Sequence, residues 1–75
     1  MVKLAMSDLH AGDWLKCIQA FTAHPEGAPT ESVRVAVGSL WQVSAVEGEG
    51  VLLDAQSSPH TIRIHRDRLD HWVRH

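Results

Sequence analysis

Gly12-Asp13-Trp14-Leu15-Lys16-Cys17-Ile18, answered downstream by Val37-Gly38-Ser39-Leu40-Trp41-Gln42-Val43, decides the fold class. Each segment is a glycine turn feeding a run of apolar, aromatic and β-branched residues, as expected of a strand leaving a tight reversal. Neither shows the i, i+3, i+4 spacing of an amphipathic helix, and no helical pattern of about ten residues occurs elsewhere.

Working outward from the first segment, Trp14 to Phe21 reads as one strand. Its alternation is imperfect: Leu15, Cys17 and Phe21 share one face while Trp14, Ile18 and Ala20 share the other, so a bulge or two covered faces are expected. Thr22 to Ser32 carries two prolines, a glycine and small polar residues, and reads as a long loop. Around the second segment, Val33, Val35 and Val37 alternate with Arg34 and Ala36, and Gly38-Ser39 breaks the run. Leu40 to Glu47 then places Trp41, Val43 and Ala45 on one face. Glu47-Gly48-Glu49-Gly50 is the strongest hairpin turn in the chain, and Val51 to Ala55 is its return strand.

After a loop at Gln56-Ser57-Ser58-Pro59, His60 to His65 alternates with period two. Ile62 and Ile64 face inward, and Thr61, Arg63 and His65 face outward. Arg66 to Asp70 reads as one helical turn, and His71-Trp72-Val73 as a closing strand. These pieces predict an all-β chain, a small bent antiparallel barrel of about five short strands with one long early loop and one helical turn before the last strand. Residues 1–11 are expected to form an arm or edge segment, and residues 12–75 the barrel.

Seventy-five residues make one domain, and a chain this short gains from self-association because it buries only roughly 60–65% of its unfolded surface. With 44% hydrophobic and 21% charged residues the composition is that of a globular protein, not a disordered one. No apolar run reaches the roughly 18 residues of a membrane span, and the first residues lack a signal-peptide pattern, so a cytoplasmic location is expected. The single cysteine, Cys17, excludes an internal disulfide and a multi-cysteine metal site; within an apolar strand it reads as a small core hydrophobe.

The formal charge of −2 conceals a polarity. Residues 1–59 set Lys3, Lys16 and Arg34 against seven carboxylates, whereas residues 60–75 set four arginines against Asp67 and Asp70. Four of the six histidines also fall in that last stretch. Such a surface favours a partner, including another copy of the chain.

The order Gly12-Asp13-Trp14 strand, long loop, then Gly38-Ser39-Leu40-Trp41-Gln42-Val43 resembles the SH3-like small barrels, and many short proteins of phages, prophages and mobile cassettes share it. The resemblance covers roughly residues 12–73 and implies an SH3-like barrel. Thr61-Ile62-Arg63-Ile64-His65, after Ser58-Pro59-His60, is similar to the active-site strand of the type II dihydrofolate reductases, which are tetrameric SH3-like barrels. That family uses a Val-Gln-Ile-Tyr strand and a lysine after its Gly-Asp segment. Here Arg63 stands at the glutamine position, His65 at the tyrosine position and Cys17 at the lysine position, with Lys16 one residue off. The resemblance therefore implies shared architecture without the catalytic set.

Motifs for chemistry are sparse. His71 and His75 are four apart, but on a strand such residues lie about 13 Å from one another, which is too far to share a metal ion. No turn motif joins Cys17 or a serine to a histidine base. The two carboxylates of Glu47-Gly48-Glu49-Gly50 are unsuited to phosphate. No catalytic residue, metal site or cofactor is expected.

The residues that remain describe a non-catalytic interaction module, an accessory protein that binds a protein partner or itself. Its candidate contacts are Arg63, His65, Arg66 and Arg68 at the basic end, and His24, Glu26 and Glu31 in the loop. An alternative reading is a nucleic-acid-binding barrel in which Trp14 or Trp41 stacks on bases near Arg63, Arg66 and Arg68; a reductase is the second alternative.

Overall fold

The computed structural model describes residues 4–27 and 30–75. The outer parts of two expected segments, residues 1–3 of the N-terminal arm and residues 28–29 of the long loop, lie outside the described residues. Among the described residues seven strands form: β1 (Trp14–Cys17), β2 (Phe21–Ala23), β3 (Val33–Val35), β4 (Leu40–Glu47), β5 (Gly50–Ala55), β6 (Thr61–His65) and β7 (Trp72–Arg74). Short 3-10 helices occupy Met6–Asp8 and Arg66–His71.

The strands make two antiparallel sheets, not a closed barrel. The larger runs β6-β5-β4-β1-β7 and the smaller is the pair β2-β3. This corrects two expectations. The single strand expected over Trp14 to Phe21 stops at Cys17, and Phe21 opens β2 after a bend at Ile18 and Gln19. The long loop also shrinks, because Thr22 and Ala23 pair with Arg34 and Val33. The mixed faces read from the sequence thus reflect a chain changing sheets, so that Leu15 and Cys17 are fully buried while Ile18 is exposed.

The two glycine segments meet each other. The amide of Gly12 donates to the Val43 carbonyl (2.8 Å), and the amide of Gly38 donates to the Cys17 carbonyl (2.8 Å). Gly38 has φ +89°, the left-handed region where a side chain would be strained. The turn between β4 and β5 forms where expected, closed by Glu47 opposite Gly50, with Gly48 at φ +58°. In β4 the register shifts between Val43 and Ala45. This bulge ends the alternation: Val43 is buried, whereas Ala45 is only half-buried opposite Leu52.

The core lies between the sheets. Leu15, Cys17, Val35, Trp41, Val43, Val51, Leu53, Ile62, Ile64 and Trp72 fill it, joined by Leu9 from ahead of β1 and Leu69 from the second 3-10 helix. Trp72 meets Trp41 and Phe21 edge to face, with ring centroids 6.3 and 6.0 Å apart. Two of the three tryptophans are therefore core residues, and Trp14 is half-buried. No helix among the described residues is long and apolar enough to cross a membrane.

Candidate functional site

The sheets come closest along β6. Pro25, two residues past β2, sits opposite Ile62, and the Glu26 amide donates to the Thr61 carbonyl (2.7 Å). Pro25 and Ile62 form a non-hydrogen-bonded pair, whose bonds are made by the flanking residues, so the N–H that proline lacks is not needed here. Toward the other end of β6 the strands part, because β2 turns to pair with β3. The opening is a cleft of ≈ 290 Å³ between Phe21–His24 on one wall and Arg63, Ile64 and His65 on the other, with Arg68 at its end.

Four of the seven residues singled out in the sequence, His24, Arg63, His65 and Arg68, line this cleft. Glu26, Arg66 and Glu31 surround it. The first loop and the basic C-terminal stretch, far apart in sequence, thus share one face.

Much of the charge on this face is matched within the chain. The Arg63 guanidinium spans Glu26 (Nε to Oε2, 3.5 Å) and Glu47 (Nη2 to Oε1, 3.1 Å). The two carboxylates, Glu26 first, hold its pKa above the ordinary arginine value. His65 faces Glu49 through Nε2 (3.3 Å) and accepts the Asp67 amide at Nδ1 (3.2 Å). Arg66 lies 3.7 Å from the same Glu49. His24 Nδ1 donates to the Glu31 carbonyl (2.7 Å), so Glu31 contributes its backbone to the site. The charge polarity of the sequence accordingly has an internal counterpart: loop and turn carboxylates hold the arginine and histidine of β6.

Arg68 stands apart. Among the described residues it forms no ion pair, and its guanidinium carbon lies 5.8 Å from the centroid of the Phe21 ring. A cation against an aromatic face is attracted by the ring quadrupole while its edge stays free to bind an anion.

Sequence reading missed Phe21, Glu47, Glu49 and Gly50 as parts of this face. Gly50 is placed so that a Cβ would come within 3.2 Å of Arg63 Nη1 and 3.4 Å of its Cγ. Its bare backbone lets the arginine stem lie across β5 to reach Glu47. The hairpin register held that signal, since a Glu47–Gly50 closure sets Glu49 beside the start of β5 and hence beside the end of β6. Phe21 carried no such signal, because its neighbours are decided by the change of sheet.

No described group of three or more histidine, cysteine or acidic side chains could hold a metal ion. Cys17 is buried, and burial pushes its thiol pKa up, the opposite of what a nucleophile requires. A larger cleft of ≈ 380 Å³, with Arg34, Ser39, Trp41 and Ser58 among its walls, carries one charged side chain. No protein family, curated protein or solved structure matches this chain.

Proposed function

We propose that this protein acts by binding, as a small non-catalytic interaction module of SH3-like character whose β2–β6 cleft receives a carboxylate of a protein partner. The observation that carries the reading is the cleft's lining. Every ionisable side chain in it is basic (His24, Arg63, His65 and Arg68), in a chain whose formal charge is −2. The neighbouring acids pair with Arg63, His65 and Arg66, and among the described residues Arg68 of the cleft has no ion pair. A charge-assisted bond from such an arginine is about twice as strong as a neutral one. The tryptophans support a protein partner over nucleic acid: Trp41 is withdrawn into the core and cannot stack on bases, and Trp14 is half-buried and does not line the cleft.

Titration of the full chain with a short glutamate-rich peptide tests this by calorimetry or NMR. Binding is expected, it should weaken as salt rises, and Arg68→Gln should reduce it at least tenfold without moving the denaturation midpoint. Equal affinity of the variant, or a preference for single-stranded DNA over the peptide, would overturn the proposal.

A further inference from the structure

The backbone of β6 says how such a partner is held. β6 is an edge strand of the larger sheet. Its bonds to β5 use the even-numbered residues: the Ala55 amide donates to the His60 carbonyl (3.0 Å), and the Arg66 amide donates to the Glu49 carbonyl (2.8 Å). With the intervening register unbroken, Ile62 and Ile64 complete that ladder. Thr61, Arg63 and His65 therefore turn their amides and carbonyls to the other side.

On that side the chain itself supplies the first rung, the Glu26 amide on the Thr61 carbonyl. Beyond Pro25 the supply stops, because β2 is engaged with β3. Among the described residues no backbone bond from outside the larger sheet reaches the Arg63 carbonyl or the His65 amide. The His65 carbonyl is committed to the second 3-10 helix, which His65 caps. One acceptor and one donor thus flank Ile64 on the wall of the cleft. In a parallel added strand the residue opposite Ile64 satisfies both; in an antiparallel one its two neighbours do, one donating to the Arg63 carbonyl and the other accepting from the His65 amide.

We infer that the β2–β6 cleft is an open strand position, and that it takes an extended, carboxylate-bearing peptide by backbone pairing with β6 at the Arg63 carbonyl and the His65 amide. This rests on the protein-binding reading above and names the partner's conformation. Edge addition draws affinity from main-chain bonds and selectivity from the groups around them. Here those groups are the Arg68 guanidinium over Phe21, with His24 and His65 on the walls. An acidic side chain or a C-terminal carboxylate satisfies the same cation.

The test uses the full chain and a short peptide of alternating glutamate and valine, amidated at its end. A second version carries N-methyl groups on the backbone amides of one edge, and a third carries them on the other edge. Methylation removes donors without changing charge. The unmethylated peptide is expected to bind, and one methylated version to bind at least tenfold more weakly. The His65 amide is expected to gain at least tenfold protection from hydrogen exchange when the peptide is bound. Equal binding of all three peptides, with no gain at His65, overturns strand addition while leaving the carboxylate reading intact. A glutamine-valine peptide with a free C-terminus distinguishes the sources: if it binds and the glutamate peptide does not, the terminal carboxylate is the ligand. Binding of neither overturns both this inference and the reading beneath it.

Discussion

The two edges of the five-stranded sheet are finished in opposite ways. At the β7 edge, Trp72 is 2% exposed and wedged between Trp41 and Phe21, while Arg74 reaches back to Asp13 (3.0 Å) and to the Asp8 carbonyl (2.8 Å). At the β6 edge the outward side chains are exposed and held by ion pairs, and the partner strand is present only as far as Pro25. Apolar burial stabilises strongly and excludes ligands. Exposed ion pairs stabilise weakly and can be exchanged for a partner's charges. The side-chain contacts that finish the β7 edge are accordingly the more stabilising, and the proposed recognition lies at the other edge.

Breaking the β7 edge should have the largest effect. Trp72→Ala removes the ring that joins Trp41 to Phe21 and should cost about 3–5 kcal/mol, enough to unfold much of a domain this small. Denaturant titration followed by circular dichroism measures it. Trp72→Phe should cost less than half as much, partly because the buried indole N–H, which has no partner among the described residues, goes with it.

An intermediate effect is expected at Asp13 on the same edge. The His10 amide (2.9 Å) and then the Arg74 guanidinium hold its carboxyl below the ordinary aspartate value. A carboxyl whose folded pKa is depressed stabilises the protein above its unfolded value of about 3.9, and that contribution is lost as pH falls through the folded value. Asp13→Asn should therefore lower the melting temperature at neutral pH and flatten its decline below about pH 4. A series of melts from neutral to acid pH checks the slope.

The smallest effect is expected at the β6 edge. Gly50→Ala gains strand propensity but pushes against Arg63, whose flexible end can move by a few tenths of an ångström. The two should offset, leaving stability within about 0.5 kcal/mol of the parent. The Arg63 side-chain resonances should nevertheless shift as the guanidinium leaves Glu47. A large loss of stability would mean that the ion pairs carry this edge, and the contrast between the edges would fail.

Much of the fold was legible because it depends on neighbours in sequence. The Glu47–Gly50 hairpin, the in–out alternation of Ile62 and Ile64 against Arg63 and His65, and the helical turn after His65 are all local in cause. The division at Ile18 and Gln19 was not, because Phe21 pairs with Val35 across an intervening loop and local propensity is the same for either sheet. The candidate face was half legible. Residue types nominated Arg63, His65, Arg68 and His24, but which carboxylate meets which arginine depends on register.

By itself, then, the sequence determined an all-β chain, its turns, its inward-facing residues and a polarity of charge, since each follows from side-chain chemistry and short-range backbone geometry. Only the tertiary structure decided that the strands divide between two sheets, that loop and turn carboxylates neutralise Arg63 internally, and that Arg68, without an ion pair among the described residues, stands beside the end of β6 whose outer side no described strand pairs. Those outcomes rest on contacts between residues tens of positions apart. Such contacts are chosen by how the whole core packs, and no local window of sequence contains that information.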